Sequence, residues 1–295
     1  MSLGVLNNIA AVYAENNLTS TQSSLQNTLE QLSSGSRINS GADDAAGLSI
    51  ADGLGAASTA LTQSADNANQ GVGLLQVADG ALSQVTNLLN RAVTLSTEAS
   101  NGTLSATQDA AANQEFQSIL AEINNIGATT SFNGNQVFSG AAVTVYSGDA
   151  TATGGATDAL DIAALTSASV GDVGGTIASA GTAITYTPGA GKNLSTDSLT
   201  TAAKAQTALT DVNTAITDVA AQRGYLGSQI NTLNAISSVD STEQENVLSA
   251  QNSIQATDYA QATSNLSKFE ILSQTGISAL AQANSVEQEV LKLLQ

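Results

Sequence analysis

The chain has 295 residues, with 7 Lys plus Arg against 25 Asp plus Glu, no His and no Cys, for a net charge of −18. Those counts exclude disulfides, thiolate metal centres, cysteine nucleophiles and imidazole acid–base chemistry, and the scattered cations form no basic patch for nucleic acid. Aromatic residues make up 3% and there is one Pro, so burial must come from Ala, Leu, Ile and Val, which suits long, closely packed helices.

Val5, Ile9 and Val12, then Leu18, Leu25, Leu29 and Leu32, predict an N-terminal helix with an apolar stripe. From about 57 to 100, Leu61, Ala68, Gly71, Leu75, Ala78, Leu82, Val85, Leu89 and Ala92 fall on one heptad frame. A third helix is expected over roughly 104–128, with Phe116, Leu120, Ile123 and Ile126 on its apolar face. From about 130 to 200 the chain turns to Gly, Ser, Thr, Ala and Asp. Short β-compatible runs, Ala142–Tyr146 and Thr182–Tyr186, stand between the turn signals Asn133-Gly134, Gly154-Gly155, Gly174-Gly175 and Pro188-Gly189.

A fourth helix, about 200–236, carries Leu209, Val212, Ile216, Val219, Arg223, Leu226, Ile230 and Leu233 at alternating spacings of 3 and 4. Arg223 is the polar exception. It either snorkels to solvent or forms an ion pair that fixes helix register, with a partner the sequence does not name. The last segment repeats the pattern with Phe269, Leu272, Gly276, Ala279, Ala283, Val286, Val290 and Leu293, widened by Ile277, Leu280, Leu291 and Leu294. Helices before and after a β insert predict a mainly α fold: an elongated antiparallel helical bundle or coiled coil with a small β-hairpin-rich insert.

Several groups invite chemistry and read more plainly as structure. Asp43 and Asp44 are adjacent carboxylates without a third ligand nearby, and a turn or helix cap accounts for them. Gly71, Gly73 and Gly80 lack the strand context of a nucleotide-binding loop. Residues 166–201 read as a solvated Ser/Thr-rich loop, a candidate for glycosylation, with Asn193-Leu194-Ser195 fitting the N-glycosylation pattern. No catalytic residue, metal site or cofactor is expected. No run of 18 apolar residues is present, so no membrane span is predicted. Met1–Asn8 lacks the basic and apolar parts of an ordinary signal peptide. The two terminal stripes carry too few large side chains to offset the backbone entropy of ordering them, which predicts that the termini fold when subunits assemble.

Three motifs carry a resemblance. Ser33-Ser34-Gly35-Ser36-Arg37-Ile38-Asn39-Ser40-Gly41-Ala42-Asp43-Asp44-Ala45-Ala46-Gly47-Leu48 resembles the N-terminal signature of bacterial flagellins. Arg223-Gly224-Tyr225-Leu226-Gly227, followed by Gln229, resembles the motif of their returning half, and Leu280-Ala281-Gln282-Ala283-Asn284 with Val290–Leu294 resembles their C-terminus. Ala42 stands where the family commonly has Lys, and Glu287 where it commonly has Pro. The second change predicts a last helix that runs on unbroken.

The resemblance implies a structural, non-enzymatic filament subunit for motility, located outside the cell on the flagellum. It implies export through a type III apparatus without a cleaved signal peptide. Partners implied are further copies of the chain, hook-associated and cap proteins and an export chaperone, with no nucleic acid and no membrane. It implies a terminal coiled-coil core over 1–40 and 256–295, a helical layer with a β-hairpin over 41–165 and 200–255, and a short variable insert over 166–199. Assembly residues would be Val5, Ile9, Val12, Leu18, Leu25, Leu29, Leu32, Phe269, Leu272, Ala279, Ala283, Val286, Val290 and Leu293. The bundle seam would be Leu82, Val85, Leu89, Leu209, Val212, Ile216, Arg223, Leu226 and Ile230. Asn90, Arg91 and Glu115 fall where some members meet a Toll-like immune receptor, a solvent-exposed or subunit-contact role being the plainer reading. A hook–filament junction protein and a secreted coiled-coil ligand are the alternatives.

Overall fold

A computed structural model describes residues 8–148, 156–172, 176–179, 182–185 and 191–293. The helices are α1 (Ile9–Ser34), α2 (Ala45–Ser100), α3 (Ala106–Thr129), α4 (Ala202–Gln255) and α5 (Tyr259–Leu293). Three two-stranded antiparallel sheets are described: β1 (Ser131–Phe132) with β2 (Asn135–Gln136), β3 (Val143–Ser147) with β4 (Ala156–Leu160), and β5 (Thr176–Ser179) with β6 (Thr182–Thr185). The mainly α fold with a small β insert is therefore the fold of the chain. It divides into two compact units, one of residues 1–56 with 246–295 and one of residues 57–245.

In the first unit α1 and α5 run antiparallel. Asn8 Nδ2 donates to the Ala283 carbonyl at one end, and Thr257 N donates to the Gly35 carbonyl at the other. Asn8 also caps α1, its Oδ1 accepting from Ala11 N at 2.9 Å. Gly276 lets the helices approach, since a Cβ there would stand 3.2 Å from Leu18 Cδ1. Helix α1 ends at Gly35, whose φ of 73° is left-handed, and a Cβ on it would meet Tyr259 Oη at 2.8 Å. As expected without the Pro, α5 is unbroken.

The second unit holds the main core. All nine residues of the predicted α2 frame, from Leu61 to Ala92, are buried. Phe116, Leu120 and Ile123 of α3 join them, while Ile126 is partly buried. Gly71 makes room for the sheet: a Cβ there would lie 3.0 Å from both Leu233 Cδ1 and Val145 Cγ2. Asn133-Gly134 forms the two-residue turn of the β1–β2 hairpin, with φ of 49° and 81° as a type I′ turn requires.

Four expectations are corrected. Helix α2 starts at Ala45 rather than near 57, because Asp44 caps its first turn, as described below. Helix α4 continues to Gln255 rather than stopping near 236, as polar partners hold its tail: Ser64 Oγ donates to Asp240 Oδ2 and Gln244 Nε2 donates to Thr62 Oγ1 at 2.7 Å.

The buried line of α4 runs through Ala205, Ala208, Val212, Ala215, Val219, Gln222, Leu226, Gln229 and Leu233. Leu209, Ile216 and Ile230 flank it partly buried, and Arg223 stands at its edge. Small Ala residues take the centre because they let helices approach, and the bulkier residues close the sides. Finally, the described part of 166–201 is not a solvated loop. Val170, Leu194 and Leu199 are fully buried with the helical core, beside Leu160, Ile162 and Leu165 just upstream. The turn signals at 154–155, 174–175 and 188–189 lie outside the described residues.

Candidate assembly surface

The signature segment builds the turn between α1 and α2. Asp43 Oδ2 accepts from Asn39 N, Ser40 N and Ser40 Oγ at 3.1, 2.9 and 3.1 Å. These bonds, led by that from Asn39, hold its carboxyl below the usual range. Asp44 Oδ1 accepts from Ala46 N and Gly47 N at 3.1 and 2.9 Å, which caps the first turn of α2. A Cβ on Gly47 would collide with Asp44 Oδ2 at 2.5 Å and Ile38 Cδ1 at 2.7 Å. Arg37 reaches α4, Nη2 donating to the Ile254 carbonyl and its main-chain N to the Gln255 carbonyl, both at 2.7 Å. The adjacent acids thus serve a turn and a cap.

Along the α1–α5 pair the inward residues of α5 are Ala262, Leu266, Phe269, Ser273, Gly276, Leu280 and Ala283. Phe269, Gly276 and Ala283 of the predicted stripe point inward, whereas Leu272, Ala279 and Val286 face outward. On α1, Leu18, Leu25 and Leu32 are partly buried, while Ile9, Val12 and Leu29 are exposed. Exposure reaches 65% at Ile9, 69% at Tyr13 and 64% at Ile271, with Val12, Ile277 and Leu272 also large and open. The pair is a two-helix unit with apolar side chains on both its inner and outer faces. Val5 and Leu294 lie outside the described residues, as do the side chains of Val290, Leu291 and Leu293.

In the unit of 57–245, Leu82, Val85, Leu89, Val212 and Leu226 are buried as the bundle seam requires. Arg223 grips Asp79 of α2 with two bonds, Nε at 2.7 Å and Nη2 at 3.2 Å. That carboxylate raises the Arg223 pKa. Sequence reading missed the buried polar residues beside it. Gln222 is 3% exposed with Oε1 unpartnered, and Gln229 is 3% exposed with Nε2 donating to Tyr225 Oη at 2.5 Å. Their seven-residue spacing was the available signal, and it was masked by the larger stripe residues one position on, Arg223 and Ile230. Arg91 Nε and Glu115 Oε1 meet at 2.7 Å, joining α2 to α3 on an open face where Asn90 is also exposed. The bond holds the Glu115 carboxyl below its usual range. Among the described residues no group of three or more acidic side chains is placed to hold a metal.

Residues 5–143 match the family model of the bacterial flagellin N-terminal helical region, and residues 209–294 that of the bacterial flagellin C-terminal helical region. Flagellin A of Vibrio cholerae serotype O1 is 30% identical, with all of both chains covered. The flagellin of Halalkalibacterium halodurans is 31% identical over 289 residues, 98% of each chain.

The chain belongs to the bacterial flagellins.

It is accordingly a structural subunit of the flagellar filament, an extracellular assembly. No helix among the described residues is long and apolar enough to cross a membrane. The crystal structure of Bacillus cereus flagellin is similar at a TM-score of 0.45 and 25% identity, covering 59% of this chain and 88% of that one.

Proposed function

We propose that the α1–α5 pair is the part of the subunit that completes its folding on polymerisation, with its outward Ile9, Val12, Tyr13, Ile271, Leu272 and Ile277 covered by neighbouring copies. The observation that carries this is the exposure of those side chains on the outer faces of the packed α1–α5 pair. A helix pair of this kind leaves apolar area in water that a further layer removes. An interface that does not close on itself generates an open helical filament.

On this reading residues 1–40 and 256–295 form the filament core, residues 41–165 and 200–255 the surrounding layer, and residues 166–199 the variable insert. The chain works without catalysis and is exported by a type III apparatus with a chaperone. Hook-associated and cap proteins bound the polymer. Asn90, Arg91 and Glu115 take a solvent-exposed or subunit-contact role, contact with a Toll-like receptor being the alternative, which unchanged receptor signalling by an Arg91→Ala monomer would remove.

Negative-stain electron microscopy of monomer incubated with filament seeds tests the assembly reading, beside a chain lacking residues 260–295. Long filaments from the full chain and none from the truncation are expected. Short rings from the full chain would point instead to a hook–filament junction protein.

A further inference from the structure

Residues 191–199, between the sheets and α4, are fastened to both α3 and α4. Lys192 exchanges two main-chain bonds with Val170, at 2.8 and 3.0 Å. Its Nζ pairs with Asp211 Oδ1 of α4 at 2.9 Å. Gln117 Nε2 of α3 donates to the Asp197 carbonyl, and Leu199 N donates to Asn113 Oδ1 of α3, both at 2.8 Å. Leu194 and Leu199 are the buried pegs of this segment.

Asp197 lies between those pegs, with Oδ2 enclosed and unpartnered. The charged groups that act on it are Asp211 from α4 and Lys192 from its own segment. Asp218 of α4 also acts on Lys192. The polar contacts from α3 to this segment are neutral carboxamides. One ammonium therefore serves three carboxylates, and its bond goes to Asp211.

We propose that residues 191–199 form an acid-tightened strap, which grips α3 and α4 when the Asp197 carboxyl is protonated and loosens when it ionises. Burial first, then repulsion from Asp211, push this carboxyl up to about 6, with Lys192 opposing. The closed strap therefore holds a proton that an opened strap, with an ordinary carboxyl, would release. Closing becomes more favourable as pH falls through 6 towards 4, and the gain is lost as pH rises through 6. Opening would bring Leu194 and Leu199 into water and bare the faces of α3 and α4 beneath them.

Amide hydrogen exchange on the full-length monomer tests this, with rates corrected for the intrinsic effect of pH. The Leu199 and Leu194 amides, bonded to Asn113 Oδ1 and the Ser167 carbonyl, should be protected about tenfold more at pH 5 than at pH 7.5. Amides in the middle of α2 should show no such change. Asp197→Asn should keep the strap protected at both pH values. Equal protection of the wild-type strap at the two pH values, or a response that persists in Asp197→Asn, would overturn the proposal. A carbon-13 titration of the wild-type Asp197 carboxyl decides the matter without a variant: a midpoint near 6 supports it and one near 4 sinks it.

Discussion

Gly80 and Gly127 are both interior helical glycines, yet replacing them should have opposite effects. A Cβ on Gly80 of α2 meets nothing within 4 Å, whereas one on Gly127 of α3 would meet the Leu165 main-chain oxygen inside bonding range. Ala is favoured over Gly in a helix by about 1 kcal/mol, so Gly80→Ala should stabilise by roughly that amount. At Gly127 the clash is with backbone, which cannot rotate away, and overpacking of about 1–3 kcal/mol exceeds the gain. Gly127→Ala should therefore lower the urea midpoint of the 57–245 unit where Gly80→Ala raises it. The two arginine pairs divide in the same manner. Arg223 is held by two bonds to Asp79, both side chains about a third exposed, and Arg223→Ala should cost about 1 kcal/mol. Arg91 and Glu115 are half exposed with one bond, so Arg91→Ala should move the denaturation midpoint less than Arg223→Ala does. Denaturation curves of the two variants read this difference directly.

At the scale of the element, α4 shows how a seam can carry polar residues. Gln229 has a partner in Tyr225, but Gln222 Oε1 has none. An unpaired buried acceptor costs about 1–3 kcal/mol. Gln222→Leu, of similar length, should stabilise the helical unit by about 1 kcal/mol, while Gln229→Leu should destabilise it by removing the buried bond that Nε2 gives the Tyr225 hydroxyl. A thermal melt that places both changes on the same side would contradict this account. Polar residues in a seam also fix register between helices, since a slipped pairing would bury them without their partners. Arg223–Asp79 and Ser64–Asp240 tie α2 to α4 at two separate heights, which pins the antiparallel alignment of two helices longer than 50 residues. Without such pins, a run of Ala and Leu at heptad spacing would pack almost equally well one turn along.

At the scale of the whole molecule, buried carboxyls make stability depend on pH. Burial raises the carboxyls of Asp158, Asp161, Asp197 and Asp218, all in the unit of 57–245. Each keeps its proton in the folded state at a pH where the unfolded chain has lost it. The folded unit therefore gains stability as pH falls from 7 towards 5 and loses it as pH rises through about 6. The urea midpoint of that unit should be higher at pH 5 than at pH 7.5, and Asp197→Asn should flatten the difference. Asp43 and Glu115 shift the opposite way but lie on exposed faces, where screening leaves them little weight.

Much of this organisation was legible in the sequence because it is periodic or chemically singular. The α2 frame from Leu61 to Ala92, the α3 face at Phe116, Leu120 and Ile123, and the Asn133-Gly134 turn are each set by local geometry. A heptad stripe has one way to face a partner, and Asn-Gly has few turns to adopt. The motif around Asp43 and Asp44 identified the family, and its hydrogen bonds are local as well. Tertiary structure alone decided the rest. It chose which of two adjacent stripes on α4 lies at the centre, because close approach favours Ala over Leu there. It set the partner of Arg223 at Asp79, 144 positions away in the chain. It also drew Leu165, Val170, Leu194 and Leu199 from a polar, glycine-rich stretch into the core. Isolated apolar residues have no period to read, and only the three-dimensional surface they dock on gives them a place.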